Sequence, residues 1–72
     1  MNIYFNIGRN PKPDYVQINS EFINVRQLKT LISKKVGISE VDMKVKNVIS
    51  SIEYAPNEYI KKGSSVSIDI IA

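Results

Sequence analysis

The sequence predicts a two-layer α+β fold, with one helix laid across one face of a small sheet. Three observations predict it. Several short stretches alternate apolar and polar residues, one longer stretch repeats apolar residues at helical spacing, and 72 residues are enough for a single core. With no cysteine and no histidine, neither disulfides nor the usual zinc sites can support the fold, so packing must hold it. Apolar residues at 43% of the chain suffice for a thin two-layer core.

The first stretch, Asn2 to Ile7, places Ile3, Phe5 and Ile7 on one face of a strand and Tyr4 and Asn6 on the other. Gly8-Arg9-Asn10-Pro11-Lys12-Pro13 breaks it, because proline fixes φ and removes a donor. Alternation resumes at Tyr15-Val16-Gln17-Ile18 with Val16 and Ile18 inward, which completes a hairpin. A helix follows. Asn24 stands at the N-cap with Gln27 at capping-box spacing, and Ile23 and Leu28 are placed as a hydrophobic staple. Val25, Leu28, Leu31, Ile32 and Val36 form its apolar stripe, while Arg26, Lys29, Ser33 and Lys34 face away. Gly37 ends it where a positive φ is needed, and Ile38 can fold back on Ile32.

Asp42 to Lys46 reads as a third strand with Met43 and Val45 inward, and Ile52-Glu53-Tyr54 as a short edge strand. Ala55-Pro56-Asn57 interrupts it, and Glu58-Tyr59-Ile60 reads as one helical turn. In the last strand, Val66, Ile68 and Ile70 alternate with Ser65, Ser67 and Asp69. One helix can cover only one sheet face, so the other stays wet. A closing strand at the rim would leave its apolar side half-covered and an edge unpaired. Seating it centrally, parallel to the first strand, removes both problems. The expectation is therefore a ubiquitin-like β-grasp, a mixed four- to five-stranded sheet with one helix on one face, spanning residues 1–72 as a single domain.

These residues also resemble a family. Ile3-Tyr4-Phe5-Asn6-Ile7, Asp14-Tyr15-Val16-Gln17-Ile18 and the helix start Ile23-Asn24-Val25-Arg26-Gln27-Leu28-Lys29 are similar to the DWNN domain. So are Asp42-Met43-Lys44-Val45-Lys46-Asn47, Glu53-Tyr54 and Ile60-Lys61-Lys62-Gly63-Ser64-Ser65-Val66. That domain is the ubiquitin-like module at the N-terminus of retinoblastoma-binding protein six and its fungal counterparts in mRNA 3′-end processing. The resemblance runs from about Ile3 to about Ile70. It departs at Ser20, where the family usually has glycine, and at Asp69 and Ile70, where basic residues are usual. It implies a protein-interaction module that docks on the endonuclease subunit of the nuclear cleavage and polyadenylation machinery. The zinc knuckle and RING finger of full-length relatives have no counterpart in these residues, so no ligase activity is implied for them.

Beside the resemblance, the residues exclude some chemistry and suggest a surface. Acid-base catalysis without histidine or cysteine would need clustered carboxylates, lysines or tyrosines, and the seven acids are scattered among loops and wet faces. The expectation is no enzyme, no cofactor and no small-molecule ligand. The start MNIYFNIGRN has neither a basic leader nor a long apolar run, so no membrane association is expected. Ubiquitin-type modifiers end in a flexible Gly-Gly tail, and Ile70-Ile71-Ala72 is read instead as a domain boundary. A ubiquitin-like modifier, or an adaptor in another pathway, is the alternative reading.

The wet sheet face is expected to show Tyr4, Asn6, Lys44, Lys46, Ser67 and Asp69, with Arg9 and Lys12 in the hairpin loop at one end of it. Tyr4, Arg9, Lys12, Lys44 and Lys46 are the candidate docking residues, for an acidic patch on a protein partner; the bland reading is solubilising charge. Arg26, Lys29, Thr30, Ser33 and Lys34 form a second stripe on the helix, read as a solvated face with RNA contact as the alternative. With Tyr4 the sole aromatic placed on the open face, any RNA binding should be weak, sequence-blind and salt-dependent. Tyr54 and Tyr59 are expected to anchor the Pro56 bend, and Phe22 to cover the helix N-terminus.

Overall fold

Alternation gives strands close to where it was read, and the computed structural model describes residues 1–10 and 12–71 of the chain. The proline break at Pro11 and the Ala72 end of the tail lie outside the described residues. The order is β1 (Asn2–Ile7), β2 (Asp14–Gln17), β3 (Phe22–Asn24), α1 (Val25–Val36), β4 (Met43–Asn47), β5 (Tyr59–Lys61) and β6 (Ser65–Ile70). A 3₁₀ turn at Glu40–Asp42 leads into β4, so Asp42 closes a turn instead of opening the strand.

The main sheet runs β2-β1-β6-β4, with β6 central and parallel to β1. That is the β-grasp arrangement expected from the closing strand. Tyr4 lies opposite Ser65 and Ile7 opposite Ile68, while antiparallel pairing sets Met43 opposite Ile70 and Asn47 opposite Val66. This register sends Ile3, Phe5, Val45, Val66 and Ile68 to the helix side, each at most 1% exposed. Val25, Leu28 and Ile32 of α1 complete the layer at 0%. Ile70 departs from expectation. It is 39% exposed: the β1 pairing ends at Ile7 opposite Ile68, so Ile70 has a strand neighbour only on the β4 side, where Met43 is buried.

The helix is bounded as its sequence prescribes. The Asn24 side chain accepts the Gln27 N–H at 2.8 Å, replacing a bond that the first turn cannot make within the helix. Gly37, at φ 75°, donates its N–H to the Ser33 carbonyl, and the Ser33 hydroxyl donates to the Ile38 carbonyl at 2.6 Å. Lys34 and Lys35 occupy the last turn, where cations suit the helix dipole.

Two short strands were not read from the sequence. β3 and β5 pair antiparallel as a separate ribbon, Ile23 opposite Ile60, and bury both residues against the core. Residues 58–60 are therefore no helical turn. The segment turns at Pro56-Asn57, where Glu58 N–H donates to Ala55 O, and then extends along β3. The expected edge strand at residues 52–54 is reduced to one bridge, Glu53 opposite Lys46, with Tyr54 N–H donating to Val45 O at 2.8 Å.

The position of Ile70 is open to a direct test. Ile68→Ala should lower unfolding free energy in urea by about 2–5 kcal/mol, as for other fully buried aliphatic residues. Ile70→Ala should cost less than about 1.5 kcal/mol, since part of that side chain is already in water. Equal losses would mean that Ile70 is buried as deeply as Ile68.

A polar docking face on the open side of the sheet

Register places the candidate residues in rows. Asn6, Ser67 and Lys46 form one row across β1, β6 and β4, and Asp69 and Lys44 stand opposite each other in the next. Tyr4 lies one row the other way, beside Ser65 on β6 and Tyr15 on β2. Strands are about 4.8 Å apart, so Tyr4 and Lys46 sit two strands and one row from each other on the same face.

The charge on this face is lower than the lysines alone suggest. Lys46 Nζ is ion-paired with the Asp69 carboxylate, both side chains only partly exposed. Asp69 also lies directly across from Lys44. Lys46 is thus neutralised by its partner, while Lys44 makes no ion pair among the described residues, and the middle of the face carries one net positive charge.

Its aromatic side is larger than expected. The Tyr4 and Tyr15 rings lie 6.2 Å apart, tilted by 56°, a separation typical of a favourable aromatic pair. Lys35 reaches from α1 around the β2 edge, its Nζ 4.5 Å from the Tyr15 ring centroid and 2.9 Å from the Asp14 carboxylate. The same ammonium donates to the Tyr15 carbonyl, and the Asp14 carboxylate accepts the Tyr15 N–H at 2.8 Å. Both backbone groups of Tyr15 on the free side of β2 are thereby occupied. Tyr4 is the sole aromatic that the sequence places on this face; Tyr15 joins it in the structure, and the Lys35 contact, between residues 20 positions apart, left no local signal.

Arg9 and Lys12 are exposed in the hairpin loop. The loop is shaped by Gly8 at φ 57°, by Asn6 Nδ2 donating to Asn10 O at 3.1 Å, and by Lys12 N–H donating to Asn10 Oδ1 at 3.0 Å. Lys12 borders a shallow depression with Phe5, Ile7 and Val36, on the helix side of the sheet end. The structure therefore groups Tyr4, Lys44 and Lys46 on one face and puts Lys12 around the corner from them.

Other exposed apolar residues carried no signal in the alternation. Phe22 is 51% exposed, and Tyr59 is 66% exposed with no hydroxyl partner among the described residues. Tyr54 does anchor its loop, accepting Asn47 Nδ2 at 3.0 Å. Asn47 Oδ1 accepts the N–H groups of Ile49 and Ser50, which holds residues 48–52 in a tight loop with Ile49 in water.

No protein-family model matches the sequence, and no curated protein sequence matches it. Solved structures do. The ubiquitin-like domain of Plasmodium falciparum Dsk2 superposes with a TM-score of 0.75 at 17% identity, over 97% of this chain and 96% of that one. The fold is ubiquitin-like. ATBAG1, solved in complex with HSP70, contains a similar region, with a TM-score of 0.74 at 16% identity over 94% of this chain. This ubiquitin-like chain spans 38% of the length of that ATBAG1 chain.

The Asp14 clasp carries a pH signature. The hydrogen bond from Lys35, with a further one from Tyr15 N–H, holds the Asp14 carboxyl below its ordinary value. A carboxylate depressed in the folded state adds stability above its unfolded pKa and loses it as pH falls through the folded value. Asp14→Asn should therefore flatten the fall in urea stability between about pH 5 and about pH 2 relative to wild type. Identical acid slopes for the two proteins would show that the clasp contributes nothing.

Proposed function

We propose that this chain is a non-catalytic protein-interaction module that acts, like the DWNN domain it resembles, in the nucleus. In this reading it docks a regulatory subunit onto the pre-mRNA cleavage and polyadenylation machinery, at the endonuclease subunit. The observation that supports a partner distinct from ubiquitin receptors is the Lys46–Asp69 pair. It occupies the middle of the open sheet face, where ubiquitin carries an aliphatic patch. Pressing that pair into a greasy receptor groove would strip water from two ions, at a cost of several kcal/mol for each. A polar partner surface has no such penalty. Tyr4 and Tyr15 supply adjacent rigid rings of the kind enriched at binding hot spots, and Lys44 supplies a partly exposed cation. ATBAG1 supports the reading in a general way, as a protein with a similarly folded region solved in a complex with another protein.

Titration calorimetry with the purified endonuclease subunit tests this. Tyr4→Ala combined with Lys44→Glu should weaken binding by about tenfold or more. The variant loses the Tyr4–Tyr15 contact and sets a glutamate at position 44 opposite Asp69, so it should melt several degrees lower while still unfolding in one cooperative transition. Absence of wild-type binding would sink the partner; unchanged affinity in the variant would sink the surface.

A further inference from the structure

Ladder parity leaves β2 with open backbone groups on its outer side. Ile18 N–H donates to Met1 O at 2.8 Å, and every second residue back along β2 repeats that pairing, so Val16 and Asp14 bond to β1. Tyr15 and Gln17 therefore turn their N–H and C=O groups to the free edge. Those of Tyr15 are taken by Asp14 and Lys35. Those of Gln17, an exposed residue, have no partner among the described residues. The opposite rim of the sheet is partly covered by residues 52–54, through Tyr54 N–H to Val45 O. Gln17 is thus a gap in the edge protection of a four-stranded sheet.

The gap opens onto a groove between β2 and α1. One depression, of about 490 Å³, is lined by Ile18, Ile23 and Leu31, with Gln27 and Thr30 on its helix side. A second, of about 380 Å³, lies beside Val16 and runs to Lys35. Both include Gln17 and Leu31, so they form one trough. A strand laid along Gln17 would send the side chains next to Val16 and Ile18 into the trough, one into each depression, and the residue between them to the open face. Charge does not choose this occupant, because Lys35 and Asp14 neutralise each other. The backbone does. A donor and an acceptor on one residue of a sheet edge are matched by one residue of an extended peptide running antiparallel to it.

We propose that the outer edge of β2 takes an extended segment of another protein as an added antiparallel strand. It is bonded through Gln17, with two aliphatic side chains two residues apart seated in the trough on Leu31. Gln17 is available at once. Pairing that runs on to Tyr15 has to lift Lys35 from the Tyr15 carbonyl, so the clasp limits the length of the added strand. The site lies along β2, at the opposite rim of the sheet from Lys44 and Lys46 on β4, and does not rest on the docking partner proposed above.

Fluorescence anisotropy of the intact chain with a labelled peptide, Ser-Gly-Val-Thr-Ile-Ser-Gly, tests the proposal. Binding is expected with Kd below about 1 mM. Methylating the amide nitrogen of the peptide's threonine, the residue that faces Gln17, should weaken it about fivefold or more. Replacing the peptide's valine and isoleucine by serine should abolish it at about 1 mM protein. Hydrogen exchange at the Gln17 amide should slow when the peptide binds. Gln17→Pro removes the edge N–H at a position where proline is tolerated, and should weaken binding about fivefold while unfolding stays cooperative. Lys35→Met keeps the stem beside the trough and frees the Tyr15 carbonyl, so it should tighten binding about threefold. Lys44→Glu should change nothing. Equal binding of the methylated peptide, an unchanged Gln17 exchange rate in the complex, weaker binding by Lys35→Met, or no binding at about 1 mM protein would overturn the proposal. So would a dimer, seen by sedimentation equilibrium, that Gln17→Pro disperses, since the edge would then pair with a second copy of this chain.

Discussion

The parallel pairing of β1 with β6 is the constraint on which the rest of the structure depends. It joins the start of the chain to its last strand and places Ile3, Phe5, Val66 and Ile68 in one layer under α1. A slip of one residue in that pairing would turn Val66 and Ile68 to water and bury Ser65, Ser67 and Asp69. The register that fills the core is thus also the register that brings Lys44, Lys46, Asn6, Ser67 and Asp69 together outside it. The polar face is a consequence of the apolar one. No separate interaction has to organise it, only the Lys46–Asp69 contact that settles its charge.

A sheet this small has two edges close to everything else, and both are managed by polar contacts. At β2, Lys35 and Asp14 occupy the outward backbone groups of Tyr15, so an added strand would have to displace an ion pair first. At β4, residues 52–54 cover part of the rim through Tyr54 N–H to Val45 O and Asn47 N–H to Ile52 O. The first of these devices has a second effect. By drawing Lys35 over the Tyr15 ring, it holds that ring beside Tyr4 and gives the docking face its aromatic side.

What could be read from the sequence followed from how local each signal is. The Asn24 cap, the Gly37 stop and the apolar stripe of α1 are set by residues within a few positions of each other, and the structure has all three. Strand alternation is equally local, and it placed Tyr4, Lys44 and Lys46 on the open face. Central placement of β6 is not local, but it followed from asking where a half-apolar strand can be covered. The β3–β5 ribbon was missed because it pairs Phe22 with Lys61 through strands of three residues, too short for a period to show. Pro56-Asn57 then made the neighbouring segment look like a turn of helix. Ile70 was placed inward by parity alone, which carries no information about where the neighbouring strand β1 stops.

The ribbon also shows why the aromatic residues divide as they do. Tyr54 has a polar partner, since Asn47 needs an acceptor once its own carbonyl oxygen is committed to the Ile49 and Ser50 N–H groups. Tyr59 has none among the described residues, because pairing with β3 directs it away from the core and its diagonal neighbour is another ring. Phe22 cannot fold inward without displacing Ile23, which already fills the inner position with Ile60. Two rings are therefore kept in water by the same alternation that buries the two isoleucines between them. With so little interior available, burial of one face fixes exposure of the other. The surfaces of this domain are accordingly ordered by its core.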